Sequence, residues 1–317
     1  MRKAALLYNP DSGGNDTKRL KKLESALAVL HGAGVQADLV ASESRDRAGE
    51  LARRQIDSGC DTIIACGGDG TIHNIAQALV NTSVALGVLP MGTANALAHD
   101  LGLPRDFAAA ARVLLDAVPR RIALGHVKYV DPRGAPGATY FMITAGVGVD
   151  AHLFYKLQTS TKQRMGMAAY YASAWHLWFT YPMTRFLASY CELDSRESKS
   201  AALTELLAVR IRNFGRVLRE FAPGASLERD DMRLIVCHTD RRLSYLAYVT
   251  LRMLGCGWRV PGVELVHSKN VSCEYEASPQ GKNPRIFVEA DGELLGTLPA
   301  QITVVPNALT LLMPRRS

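Results

Sequence analysis

Along the first third of the chain, short apolar runs alternate with stretches whose apolar residues recur every three or four positions. Lys3–Tyr8 is an apolar run of strand length, stopped by Asn9-Pro10 and Gly13-Gly14. Leu20, Leu23, Leu27 and Leu30 then fall 3, 4 and 3 apart, which predicts a helix from about Asp16 that ends near Gly32 and Gly34. Val35–Ala41 alternates as a strand does, and Ala48, Leu51, Ala52 and Ile56 predict a second helix stopping at Gly59. Thr62–Cys66 reads as a buried strand, followed by a glycine loop and a helix from about Thr71 to Asn81 with Thr71 as its N-cap. Val84–Leu89 repeats the pattern and ends in Pro90-Met91-Gly92 before a further helix. Repeated βα units predict a parallel sheet with helices on its faces and ligand loops at the carboxyl ends of its strands.

After Pro119 the pattern changes. Tyr140–Thr144, Leu207–Arg212, Leu234–His238, Val263–His267, Ile286–Glu289 and Ile302–Val305 are alternating runs separated by Gly, Pro and Asp. They predict an antiparallel, β-rich second domain. Its one long helical stretch is expected in the Trp-rich segment, where Tyr171, Trp175 and Trp178 recur at spacings of 4 and 3.

Composition narrows the class. A length of 317 residues suits two domains, and 48% hydrophobic with 21% charged residues is globular usage. The six cysteines form no C-x-x-C pair and read as reduced thiols of a cytosolic protein. The basic start has too short an apolar run for a signal peptide. Met165–Thr184 carries no formal charge and has the length of a membrane span. Its tyrosines, His176 and Pro182, with Trp175, Trp178 and Phe179, make it an interfacial or buried amphipathic segment instead, so no transmembrane span is expected. The net charge of +7 suits anionic partners such as phosphates or an acidic membrane surface. No nucleic-acid-binding module accompanies it, so nucleic acid is not expected as a partner.

The chemistry concentrates in loops. CGGDGTIHN at 66–74 follows a buried strand and opens a helix, a setting in which glycine lets backbone N–H groups approach a phosphate. Asp69 inside it would repel phosphate unless it binds a metal or takes a proton, which points to Mg²⁺-dependent phosphoryl transfer. NPDSG at 9–13 and PMGTAN at 90–95 end the first and fourth strands, and in a doubly wound sheet they would share one edge with the GGDG loop. GVGVDA at 146–151 fits a loose dinucleotide pattern, but no acid follows until Glu192, so that reading fails.

These strings, with GVGVDAHL and ADGE at 290–293, resemble the catalytic domain of diacylglycerol and sphingosine kinases from Asn9 to Pro314. The resemblance implies an α/β fold: an N-terminal doubly wound ATP-binding domain over 1–122, to which a last strand at 300–317 returns, and a C-terminal β-sandwich-like lipid-substrate domain over 123–299. It implies ATP and Mg²⁺ as cofactors and a lipid hydroxyl as acceptor. Matched by position, Asn9, Ser12, Gly13, Ser42, Gly67, Gly68, Asp69, Gly70, Thr71, Thr93, Asn95 and Asp291 would be on the ATP side. Asp69 and Glu293 are then the catalytic acids, with Glu293 favoured as base and Asp69 as metal partner. Asp231 matches a structural Mg²⁺ segment. The enzyme is expected to be cytoplasmic and peripheral at the inner face of the membrane, with a homodimer left open.

This chain also departs from the family. Ala96, Ala123 and Met232 stand where the bacterial diacylglycerol kinases carry two acids and a glycine. NALA at 95–98 is similar to the sphingosine-kinase loop, whereas His152 replaces the acid that greets a lipid amine. A diacylglycerol-like acceptor is therefore expected. The alternatives are a sphingoid base or ceramide, then NAD, then a non-catalytic lipid-binding regulator.

Overall fold

The computed structural model describes residues 1–10, 16–42, 44, 47–148, 183–193, 195, 197–215, 220–239, 241–276 and 284–315. Ser12, Gly13, Asp150, His152 and nearly all of the uncharged Trp-rich run lie outside the described residues. The chain divides into two compact units: Met1–Leu124 with Asn213–Arg216 and Val305–Ser317, and Gly125–Arg212 with Val217–Val304.

In the first unit, strands β1 (Lys3–Tyr8), β2 (Gln36–Ala41), β3 (Thr62–Gly67) and β4 (Ala85–Pro90) alternate with helices α1 (Asp16–Gly32), α2 (Ala48–Asp57) and α3 (Asp69–Leu79). Helices α4 (Ala96–Asp100) and α5 (Phe107–Asp116) follow. The strands lie in the order β4-β3-β1-β2 and pair in parallel, with Leu6 opposite both Leu39 and Ile64. Every residue of β3 and β4 is buried. Such continuous burial is what helices on both faces of a parallel sheet impose, and it explains why these strands read as apolar runs rather than alternations. Thr310 and Leu311, near the end of the chain, add a further parallel strand beside Ala85 and Leu86 of β4.

Helix α3 begins at Asp69 with Gly68 as its N-cap, two residues before the start expected at Thr71. The Asp69 carboxylate belongs in a first turn, where the helix dipole is positive, so the helix extends back to include it.

The second unit takes up β5 (Val118–Val130) part-way along its length and continues through β6 (Pro136–Phe141), β7 (Thr144–Gly148), β8 (Phe186–Cys191), β9 (Ser198–Leu203), β10 (Glu205–Val209) and β11 (Met232–Cys237). Helix α6 (Arg242–Met253) precedes β12 (Val263–Ser268), β13 (Asn270–Tyr275), β14 (Phe287–Ala290) and β15 (Glu293–Met313). One antiparallel layer runs β12-β11-β10-β7-β14-β15; a second joins β15 through β13 and β8 to β9. Alternate residues of both layers, among them Val147, Leu206, Leu234 and Val288 against Phe186, Ala188, Val271 and Ile302, form one buried core.

Two expectations are corrected here. Tyr140–Thr144 is not one strand: β6 ends at Phe141 and β7 starts at Thr144, because a carboxylate takes the intervening N–H groups from the ladder. The expectation that the second domain's one long helical stretch is the Trp-rich segment also changes: that segment lies outside the described residues, and α6 is a helix that buries Tyr245 and Tyr248 at helical spacing. Arg241 at its N-cap makes no side-chain cap bond, so the usual start signal is missing.

Asp231, expected at a structural Mg²⁺, is engaged by neighbouring side chains. Its carboxylate, 4% exposed, receives Arg229 Nε at 2.8 Å and a second Arg229 nitrogen, and His267 Nδ1 lies 3.4 Å away. Burial pushes the Asp231 carboxyl up, but Arg229 and His267 outweigh that and hold it below the ordinary range. Burial and Arg233 hold His267 below its usual 6.5 against the pull of Asp231; burial and Lys128 do the same for His126. The unfolded chain therefore takes up these protons at a higher pH than the folded one. Stability contributed by the two histidines is complete above 6.5 and declines as pH falls through their folded values, and Asp231 adds a further loss in stronger acid. The melting temperature should fall when pH is lowered from 7 to 5, as read by calorimetry; replacing both histidines by Gln should flatten that slope.

Candidate functional site

Two loops of the first unit are locked into one object. The α3 loop and the loop after β4 meet at Gly68 and Gly92: a Cβ built on Gly92 would lie 2.5 Å from the Gly68 Cα, and one on Gly68 would lie 3.1 Å from the Gly92 Cα. Gly68 has an ordinary extended backbone, so close approach, not conformational freedom, requires glycine there. Gly67 carries the same constraint, because its Cβ would lie 2.5 Å from that of buried Thr71. Met91 N–H donates to Gly67 C=O at 3.0 Å, fixing the second loop to the end of β3.

Asn95 closes the second loop on itself. It sits in the left-handed region at φ 50°, which asparagine tolerates. Its Oδ1 accepts from Gly92 N–H, and its Nδ2 donates to Gly92 C=O, both at 2.7 Å. With that side chain occupied, α4 has no cap from its own N-cap residue. Asp69 supplies it: its carboxylate accepts the N–H groups of Ala96 at 3.1 Å and Leu97 at 3.2 Å. The acid in the glycine loop therefore holds the neighbouring loop's helix, and at Ala96 it uses the backbone of a position where the resemblance leads one to expect another acid.

A cavity of about 500 Å³ opens beside these loops, lined by Pro90–Thr93 and Asn95 together with Lys18, Arg19, Lys22, Arg105 and Phe107. Four cations on its wall suit an anion of phosphate chemistry. Arg19 is buried and also donates to the C=O groups of Asn9 and Pro10, so it shapes the end of β1. Lys22 Nζ lies 5.9 Å over the Phe107 ring. Lys18, Lys22 and Arg105 were missed by sequence reasoning. The two lysines are one turn apart on α1 and Arg105 precedes α5, and nothing in those segments resembles a motif.

The other candidates are placed as follows. Thr93 is exposed on the cavity wall. Ser42 is buried, donates to Ser44 C=O and borders a smaller cavity of about 80 Å³ with Arg47 and Arg54. Gly70 and Thr71 are buried inside α3. Glu293 opens β15 in the second unit, where it pairs with Ala290. Asp291, expected on the ATP side, clamps backbone in this structure. It is 7% exposed, and its two oxygens accept the N–H groups of Met142 at 3.0 Å, Ile143 at 2.8 Å and Thr144 at 3.1 Å. GVGVDA begins in an antiparallel strand, with Gly146 opposite Leu207 and Gly148 opposite Glu205, whereas the dinucleotide fingerprint follows a strand of a parallel sheet.

Among the described residues no group of three or more His, Cys, Asp or Glu could hold a metal ion. Mg²⁺ that arrives with a nucleotide needs only one or two carboxylates besides phosphate oxygens. Asp69 fits that mode, because a carboxylate accepting two N–H groups retains lone pairs.

Replacing Lys18 or Lys22 by Ala should raise KM for a phosphorylated nucleotide about tenfold each with a smaller change in kcat, since each removes a charge-assisted bond. Steady-state kinetics at low and high salt checks this, and equal KM values would remove the lysines from the site.

Residues 3–127 match the diacylglycerol kinase catalytic domain, and residues 143–313 match the YegS C-terminal, NAD kinase β-sandwich-like domain. A diacylglycerol kinase of Staphylococcus epidermidis is 27% identical over 316 residues, 99% of this chain and 93% of that one. A crystal structure of a Bacillus anthracis diacylglycerol kinase superposes with a TM-score of 0.71 at 19% identity, covering 98% of this chain and 96% of that one. Yeast NADH kinase complexed with NADH shares the fold at a TM-score of 0.54 and 10% identity, covering 100% of this chain and 84% of that one.

The matched catalytic domain and the diacylglycerol kinase relatives along nearly the whole chain make it a kinase. The chain belongs to the diacylglycerol kinase catalytic-domain family of bacterial-type lipid kinases.

Proposed function

We propose that the chain is an ATP- and Mg²⁺-dependent lipid kinase that transfers the γ-phosphate of ATP to the hydroxyl of a diacylglycerol-like lipid. The observation that carries this reading is the cationic cavity formed by Lys18, Lys22 and Arg105 at the interlocked glycine loops. Its volume of about 500 Å³ is in the range of nucleotide-sized ligands.

The chain's own residues would divide the work. Asn9, Gly67, Gly68 and Thr93 bring backbone and small side chains to the phosphates; Ser12 and Gly13, outside the described residues, are assigned to the same task by the resemblance alone. Ser42 takes the outer part of the nucleotide. Lys18 and Lys22 balance phosphate charge, which in phosphoryl transfer is spread over the equatorial oxygens. Asp69 would hold Mg²⁺, whose contribution is to neutralise charge on the phosphates. Glu293 takes the proton from the acceptor hydroxyl. The first unit is thus read as the ATP domain and the second as the lipid domain. The site of action is read as the inner face of the membrane, where the basic chain meets acidic head groups. No helix among the described residues is long and apolar enough to cross a membrane.

The test is turnover of labelled ATP with diacylglycerol, monoacylglycerol, ceramide, sphingosine and undecaprenol, and with NAD as control. Label on diacylglycerol is the expected result. Label on NAD alone would overturn the lipid assignment, and vesicle binding without transfer to any acceptor would favour a regulator.

A further inference from the structure

In the second unit a cavity of about 570 Å³ opens between the end of α6 and the β11–β12 edge, and no residue of the candidate site lines it. Three guanidinium groups do: Arg233, Arg252 and Arg259. The Nε atoms of Arg233 and Arg252 are buried and find no hydrogen-bond acceptor among the described residues. Arg252 stacks over the Tyr248 ring at 5.2 Å, which fixes its plane, and the Tyr248 hydroxyl donates to Phe221 C=O. The acids on the wall do not answer these charges. Glu192 is engaged by Lys199, and Glu264 is 62% exposed and lies 3.7 Å from His238. Burial also holds the Arg233 pKa below its ordinary value, with Arg229 and Arg252 adding to the effect.

The rim has the opposite character. Trp258 is 73% exposed, Leu254 72% and Met253 48%, all within a few residues of the cavity's arginines. A cationic hollow edged by exposed apolar side chains and an indole matches a bilayer interface, where phosphates lie next to acyl chains. A free phosphate would have no use for that rim.

We infer that this cavity receives the phosphate of an anionic phospholipid headgroup while Trp258, Leu254 and Met253 enter the interface, making the end of α6 a membrane-docking surface. The inference rests on the lipid-kinase reading only in supplying a surface through which such an enzyme meets its substrate, and it is tested without turnover.

The full chain is sedimented with phosphatidylcholine vesicles with and without phosphatidylglycerol. Wild type should bind the anionic vesicles far better than the neutral ones. Arg252→Gln/Arg259→Gln should lose about thirtyfold in that affinity, taking roughly fivefold per arginine. Trp258→Ala should also lose affinity, and vesicles should blue-shift the Trp fluorescence of wild type but shift that of Trp258→Phe less. Arg259 and Trp258 are exposed, so the single variants Arg259→Gln and Trp258→Phe keep the test valid if the double variant misfolds. Unchanged binding in all variants would overturn the proposal, whether the cavity then serves a protein partner or inorganic phosphate; a phosphate titration of wild type identifies the latter. Transfer to short-chain diacylglycerol in neutral detergent micelles is measured separately. The docking variants should keep it, and its absence from wild type would sink the kinase reading while leaving vesicle binding intact.

Discussion

Asp69→Asn should lower phosphoryl transfer by about 10²–10³-fold, because two functions are lost at one atom pair. The carboxylate charge proposed to hold Mg²⁺ disappears. In addition, one of the two acceptors for the Ala96 and Leu97 N–H groups becomes an NH₂ donor facing another donor. The second effect should appear in stability as well, at about 1–3 kcal/mol, the range for losing a bond to a charged, half-buried acceptor. Turnover of labelled ATP and urea unfolding on the same preparation separate the two. Full activity would remove Asp69 from the chemistry. A loss of stability with intact transfer would reduce it to the cap of α4.

Asp291→Ala should destabilise the second unit by roughly 3–5 kcal/mol, because three buried N–H groups lose their acceptor together. The left-handed backbone at φ 48° adds strain for alanine that Asp and Asn avoid. Asp291→Asn keeps one carbonyl acceptor and the tolerated backbone, so its loss should be smaller. In neither variant should KM for ATP change while the protein remains folded, since both oxygens already serve the backbone of 142–144. An unchanged urea midpoint for Asp291→Ala would show that water or neighbouring groups satisfy those donors. A raised KM with unchanged stability would restore Asp291 to the nucleotide.

The parallel half was the more legible part of the chain. Burial on both faces leaves β1 and β3 as uninterrupted apolar runs between glycine or proline stops, and β1 was read with its observed bounds. The glycine loops were legible because close approach leaves few alternatives: a Cβ on Gly92 would meet Gly68 at 2.5 Å, and one on Gly68 would meet Gly92 at 3.1 Å. Limits appeared where one side chain serves a distant backbone. Thr71 reads as the cap in the sequence, yet α3 begins at Asp69, whose carboxylate is engaged by the Ala96 and Leu97 N–H groups, 27 and 28 residues away. Asp231 was read from its match to a structural Mg²⁺ segment, and that match gave no sign that the arginine two positions earlier folds back onto it. Lys18, Lys22 and Arg105 could not be read at all, as their proximity comes from the packing of α1 beside α5. Helix α6 was missed for a chemical reason: its flanks are arginines, and three of its apolar residues, Tyr245, Tyr248 and Val249, are aromatic or β-branched types that strands also use.

The pairing of Thr310 and Leu311 with β4 sets an order of events during synthesis. When Ala85 and Leu86 leave the ribosome, β4 can pair with β3 but exposes its other edge until residue 310 has been made. Throughout that interval the nascent first unit presents an unpaired, wholly apolar strand, the kind of edge that recruits other chains. Aggregation during expression should therefore be governed less by the stability of either finished unit than by how fast the ribosome delivers the last strand.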